Sequence, residues 1–65
     1  MNGGWVVHYL DGKGQDRVSM ILATETGALE WACSLAKQGS RVKFIEAPTS
    51  ERIEWPEIES FCKDL

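Results

Sequence analysis

Apolar and polar residues follow regular patterns along this chain, and the first patterns predict a β-hairpin. The segment 5–10 is rich in β-branched and aromatic residues and is followed by the turn-forming run 11–14, which contains two glycines. The segment 17–23 then alternates polar and apolar residues in its first half, as a half-buried strand does. Two consecutive strands joined by a tight turn are therefore expected.

The central part of the chain predicts its longest helix. Thr24 is a suitable N-cap, Glu25 favours the positive end of the helix dipole, and Gly39 ends the segment. Apolar residues recur between them at helical spacing, and the small ones allow close approach to a sheet. These residues are Ala28, Leu29, Ala32, Leu35 and Ala36.

A second hairpin and a short amphipathic helix are predicted for the remainder. The runs 41–46 and 51–55 resemble strands and are separated by the loop 47–50. Pro56 suits the first turn of a helix. The apolar residues after it recur at positions i, i+3, i+4 and i+7, and they are Ile58, Phe61, Cys62 and Leu65.

The elements therefore follow the order β-β-α-β-β-α in a single small α+β domain over residues 1–65. A right-handed strand-helix-strand crossover returns the chain to its starting end, so the third strand is expected to lie antiparallel to the first. The predicted fold is a two-layer, four-stranded antiparallel sheet of order 2-1-3-4, with one long helix on one face and a short C-terminal helix. The charged second and fourth strands then occupy the edges.

The parity of residues in each hairpin predicts which side chains face the core. With loops of even length, odd positions of one strand lie beside even positions of the next. This rule sets Phe44 opposite Ile53 and expects Phe44 to share one core with Ala32, so that Phe44→Ala would unfold the domain. It also sets Val42 opposite Trp55. In the first hairpin it gathers Trp5, Val7, Tyr9, Val18, Met20 and Leu22 on the same face.

The opposite face of the sheet is the candidate interaction surface, because the long helix covers only one face. If the short terminal helix covered this second face, its availability for any partner would be reduced. The residues predicted to form the interaction surface are Val6, His8, Leu10, Arg17, Ile21, Arg41, Lys43 and Ile45.

A family resemblance is carried by two stretches of the chain. Trp5 to Tyr9 form the pattern W-V-V-x-Y, and Thr24 to Gly39 form T-x-x-x-A-x-x-x-A-x-x-L-A-x-x-G after a Gly-containing turn and a second strand. This arrangement resembles small bacterial families of unknown function built on a β-β-α-β unit. The resemblance covers about the first two-thirds of the chain and implies a fold and a bacterial origin, but no activity. The second hairpin with its acidic helix departs from the pattern.

Composition and charge narrow the classes of partner. With 43% hydrophobic and 26% charged residues, the chain has the composition of a folded domain. Its net charge of -3 is uneven: residues 1–45 hold five bases and four acids, whereas residues 46–65 hold two bases and six acids. Nucleic-acid binders usually carry a basic excess, so neither nucleic acid nor an anionic membrane is an expected partner.

The predicted cellular location determines which state is expected for the two cysteines. No run approaches the roughly 20 apolar residues of a membrane-spanning helix, and residues 1–4 have no leader-like composition, so a cytoplasmic location is expected. Cys33 and Cys62 form either one bridge or two buried thiols. A reducing compartment favours the thiols, and the prediction is that there is no structural disulfide.

No group of residues has the spacing of a catalytic, metal or cofactor site. His8 is the only histidine and has no partner that the sequence can identify. The turn 11–16 lacks the ligand spacing of a calcium loop and does not open a helix as a phosphate loop does. Cys33 and Cys62 lack C-x-x-C spacing. The chain is therefore expected to bind no metal or cofactor and not to be an enzyme.

Three hypotheses of function, each from a different class, concern the open sheet face. They are a module that binds a protein partner or a second copy, a binder of single-stranded nucleic acid, and a small enzyme, for which no catalytic group is found. Arg17, Arg41 and Lys43 would follow a nucleic-acid backbone. The interaction module is expected, because the parity rule sends the large aromatic rings into the core and leaves this face without a ring for base stacking.

Overall fold

Four strands and two helices alternate along the chain in the predicted order. The structure, a computed structural model, describes residues 3–64. The strands are β1 (Val6–Leu10), β2 (Asp16–Val18), β3 (Arg41–Glu46) and β4 (Arg52–Glu54), and the helices are α1 (Glu25–Lys37) and α2 (Trp55–Lys63). The sheet has the order β2-β1-β3-β4 with antiparallel neighbours, which confirms the predicted α+β fold. Leu65, assigned to the terminal helix, lies outside the described residues.

The ends of α1 follow from its capping residues. The side chain of Thr24 accepts a hydrogen bond of 3.0 Å from the backbone N–H of Gly27. At the other end Gly39 adopts a φ of 95°, which a side chain would strain. This conformation lets the Ser40 N–H donate to the Leu35 carbonyl over 3.0 Å, as in a Schellman motif. The sequence signals for both ends are therefore confirmed.

Both helices pack on the same face of the sheet. Ile58 of α2 is fully buried and belongs to the same apolar cluster as Ala28 and Ala32 of α1. The terminal helix therefore does not cover the second face, and no element within residues 3–64 lies over it. The buried members of the cluster are Val7, Ala28, Ala32, Val42, Ile45 and Ile58.

A bulge in β3 changes which of its apolar residues face the core. His8 pairs with Phe44, but Tyr9 pairs with Val42, so Lys43 is the extra residue. Val42 and Ile45 consequently both face the helices and are buried, whereas Phe44 lies on the other face and is half-buried. The prediction that Phe44 shares a core with Ala32 is wrong, and so is the assignment of Ile45 to the interaction surface.

The length of the loop in the second hairpin also explains why the prediction for Phe44 is wrong. β3 and β4 are separated by residues 47–51, an odd number, and Ile45 pairs with Ile53 while Phe44 pairs with Glu54. The even-loop rule set Phe44 opposite Ile53 instead. The pairing of Val42 with Trp55 is also wrong, because β4 ends one residue before Trp55, which begins α2.

The first hairpin also has an odd loop, formed by residues 11–15. His8 therefore pairs with Val18, and Tyr9 pairs with Arg17. This pairing moves Val18 to the open face, and 60% of it is exposed. Met20 is 63% exposed and also lies outside the core. Further along, Leu22 pairs with Trp5 in an isolated bridge, and both pack against the core as predicted.

A disulfide between Cys33 and Cys62 joins α1 to α2. The prediction of two buried thiols is therefore wrong in this structure. Each cysteine was expected on or beside the apolar side of its helix, and the two helices lie side by side on one face of the sheet. Their apolar sides consequently bring the two Cα atoms to 5.6 Å.

Candidate interaction surface

The open face is the surface of the sheet that lies opposite the two helices. Its residues follow from the strand register, in which each paired residue shares a face with its partner. On β1 it carries Val6, His8 and Leu10. Their partners on the neighbouring strands complete it, namely Asp16, Val18, Arg41, Phe44, Glu46, Arg52 and Glu54.

An aromatic and cationic stack crosses the centre of this face. The rings of His8 and Phe44 lie nearly parallel, with their centroids 4.3 Å apart and 16° between their planes. The guanidinium carbon of Arg52 lies 4.3 Å from the centroid of the Phe44 ring. Because β3 lies between β1 and β4, the imidazole and the guanidinium reach Phe44 from the strands on either side. Phe44 is therefore held between two polar groups instead of presenting a bare ring.

His8 is also paired with a carboxylate. Its Nε2 lies 3.0 Å from Oε1 of Glu46, and both side chains are partly buried. Such a pair fixes the orientation of the imidazole, but nucleophilic catalysis needs a third group next to the ring. The neighbouring hydroxyl of Ser19 donates to the Met20 carbonyl over 2.8 Å and accepts from the Val7 N–H. The contact with Glu46 therefore fixes the His8 ring on the open face.

Arg17 does not belong to the open face, in contrast to the prediction. It pairs with Tyr9, and its Nε donates to Oδ2 of Asp11 over 3.0 Å. The backbone N–H of Gln15 also donates to Asp11, and these two interactions hold the pKa of the Asp11 carboxyl below its ordinary value, with the Gln15 bond as the larger cause. Arg17 thus closes the first turn.

A run of exposed apolar residues begins at Val18, the last residue of β2, and continues into the segment that follows this strand. Val18 is 60% exposed, and Met20 and Ile21 are each 63% exposed. We call these three residues the apolar edge. In the described part of the chain, the other exposed large apolar side chain is Trp31 on α1, at 38%. The apolar edge is therefore the main concentration of exposed large apolar side chains in residues 3–64.

The backbone of Val18, the first residue of the apolar edge, is also available for pairing. The Ser19 N–H donates to the Val7 carbonyl over 2.9 Å. In an antiparallel pair the backbone N–H and C=O of every second residue point toward the partner strand, so this bond shows which residues of β2 do so. The backbone N–H and C=O of Arg17 therefore point toward β1. Those of Asp16 and Val18 point away from the sheet. Val18 therefore combines an outward backbone with an exposed apolar side chain.

The predicted interaction residues fall in five places. Ile21 lies on the apolar edge, Lys43 lies in the bulge with its Nζ 2.8 Å from Oδ1 of Asp16, Arg17 faces the helix side, and Ile45 is in the core. The other four are on the open face, namely Val6, His8, Leu10 and Arg41. Sequence reasoning missed Val18, Met20, Phe44 and Arg52, and the five-residue hairpin loops were the signal that would have found the first three.

Comparison of this chain with protein-family models, with curated proteins and with solved structures found no match. Within residues 3–64, no three His, Cys, Asp or Glu side chains are grouped so as to hold a metal ion. Neither described helix is long and apolar enough to cross a membrane. The candidate surfaces of the described residues are the open face and the edges of the sheet.

Proposed function

We propose that this chain is a non-enzymatic interaction module that binds a second copy of itself through the apolar edge. The observation that supports the proposal is the exposure of Val18, Met20 and Ile21 beside an edge strand. Exposed apolar residues next to unpaired backbone groups form a template for another strand. The opposite edge strand, β4, carries Arg52 and Glu54 and is thereby protected from such pairing.

The charges around the apolar edge favour a second copy over a strongly charged partner. Asp16, which lies on β2 next to the apolar edge, is paired with Lys43. A two-fold axis brings the same patch of each copy together, which suits a patch that is apolar and balanced in charge. Antiparallel pairing centred on Val18 would join the two β2 strands into one continuous sheet.

Sedimentation velocity over a range of protein concentrations tests the proposal. We expect the wild-type chain to dimerise, and Val18→Lys and Met20→Lys each to raise the dimer Kd by about tenfold or more, equivalent to about 1.4 kcal/mol. Trp31→Lys is the matched control, since it removes an exposed apolar side chain from α1 and should leave the Kd unchanged. A wild-type chain that stays monomeric, or a control with an equal effect, would contradict the proposal.

Single-stranded nucleic-acid binding is the second candidate, and the position of Phe44 favours it. The sequence predicts an open face without a ring for base stacking, but Phe44 is on that face. Its ring already contacts His8 and Arg52, however, and the carboxylates of Glu46 and Glu54 lie among the cations. Titration of a labelled single strand at low salt separates the candidates. Micromolar, salt-sensitive binding by a monomer would favour nucleic acid.

A cytoplasmic location and a bacterial origin are further parts of the proposal. In a reducing cytoplasm Cys33 and Cys62 would both be thiols, whereas the disulfide would persist in an oxidising compartment. Alkylation of thiols in intact cells, followed by mass measurement, distinguishes the two states. Two alkylated cysteines would support the cytoplasm, and an unlabelled, bridged chain would contradict it.

A further inference from the structure

A groove lies beside the first half of β3, between that strand and the two helices. Its volume is about 620 Å³, which is within the range of natural ligand sites. It is lined by residues 39–43, by Ala36 of α1 and by Trp55 of α2. The groove therefore borders the turn after α1, the start of β3 and the start of α2.

The groove exists because β4 is shorter than β3. β4 ends at Glu54, which pairs with Phe44, and the chain turns into α2 at the next residue. Residues 41–43 consequently have a neighbouring strand, β1, on one side only. An unpaired stretch of strand beside a groove can accept an extended peptide, whose backbone then hydrogen-bonds to it.

The charges of the groove favour an acidic peptide. Arg41 and Lys43 are both exposed, and the groove lining contains no carboxylate. Lys43 is bonded to Asp16 over 2.8 Å, whereas Arg41 makes no ion pair with any carboxylate of residues 3–64. The guanidinium of Arg41 is thus available for a carboxylate, which it can bind through two hydrogen bonds.

We propose that this groove binds an extended, acidic peptide segment of a partner protein by strand addition to the outer edge of β3. About three residues, or roughly 10 Å of extended chain, would match residues 41–43. A carboxylate would meet Arg41, and an apolar side chain would lie against Trp55 and Val42. β1 and β3 separate this groove from the apolar edge, so the proposal does not depend on self-association.

Fluorescence anisotropy with a dye-labelled peptide of alternating glutamate and valine tests this site on the full chain. We expect binding of this peptide and no binding of a lysine-valine peptide of the same length. Arg41→Gln should weaken binding by about tenfold or more, because it removes a charged hydrogen-bond donor. Arg17→Gln is the matched control, since Arg17 is an exposed arginine that lies outside the groove.

A backbone test needs no protein variant. Only every second amide of an added strand faces β3, so N-methylation of one alternate set should abolish binding and methylation of the other set should not. Absence of binding, equal losses in the two arginine variants, or equal tolerance of both methylated peptides would overturn the proposal. Sedimentation of Arg41→Gln should show an unchanged dimer. A failure of dimerisation with intact peptide binding would overturn only the proposed self-association.

Discussion

Truncation of the adjacent β3 residues Ile45 and Phe44 should destabilise the domain to different extents, with the greater loss at Ile45. Ile45 is fully buried in the core. Ile45→Ala removes three carbons, worth about 0.8 kcal/mol each, and leaves a cavity, so we expect a loss of about 3 to 4 kcal/mol. The total free energy of unfolding of a 65-residue domain is about 3 to 10 kcal/mol. The expected loss is therefore a large part of it.

Phe44 should be less costly to truncate although its side chain is larger. It is half-buried on the open face, where no helix packs on it. Phe44→Ala removes the stacking with His8, worth about 0.5 to 1.5 kcal/mol, and the contact with Arg52, worth about 0.5 to 1 kcal/mol. The partly buried ring itself contributes about 1 kcal/mol more. We therefore expect a loss of about 2 to 3.5 kcal/mol and a folded variant.

Urea unfolding followed by circular dichroism measures both losses under the same conditions. Where Ile45→Ala leaves no folded protein, Ile45→Val provides a milder core truncation with an expected loss of about 0.5 to 1.5 kcal/mol. Phe44→Leu is the corresponding milder truncation on the open face. If Phe44→Ala proved more destabilising than Ile45→Ala, the register of β3 described above would be refuted.

Three other predictions concern the disulfide, the first turn and the end of α1. Reduction of the disulfide, which spans 29 residues, should lower the free energy of unfolding by about 3 to 4 kcal/mol, and thermal melts with and without reductant will check this. The Gln15 N–H and then the Arg17 side chain lower the pKa of Asp11 from 3.8, so its stabilisation should be present above about pH 3.8 and lost as the pH falls through the lower folded pKa. An NMR titration midpoint at or above 3.8 would contradict this. Gly39→Ala should cost about 1 kcal/mol because of its positive φ, whereas Gly12→Ala, in open space, should be nearly neutral in the same urea assay.

The elements and their order in the sheet were predictable because their signals are local. The N-cap at Thr24, the glycine at position 39 and the turn residues each act over a few neighbours. The sheet order then followed from the handedness of the crossover. These features do not depend on which face of each strand is buried, and the structure confirms all of them.

The register could not be predicted, because both faces of each strand carry large apolar residues. Phe44 and Ile45 are adjacent, and so are Val6 and Val7, so alternation fits either orientation. The number of loop residues decides between them, and both hairpins have five. The bulge at Lys43 adds a further shift that leaves no clear mark in the sequence.

The disulfide could not be predicted for a different reason. Cys33 and Cys62 are 29 residues apart, and their distance in space depends on which face of the sheet α2 covers. Packing of Ile58 beside the alanines of α1 decides this, and it leaves the second face open. The packing of α2 beside α1 therefore brings the two cysteines together and also leaves the open face uncovered.

The core and the candidate surfaces of this domain are separable, which makes the proposals about function accessible to mutation. The core lies between the sheet and two helices that are joined covalently, so it does not depend on the open face. The apolar edge and the groove lie where strand pairing stops, outside β2 and beside residues 41–43. Substitutions at Met20 or Arg41 remove exposed side chains and should change stability by less than about 0.5 kcal/mol. A change in association or peptide binding in these variants can then be attributed to the surface itself.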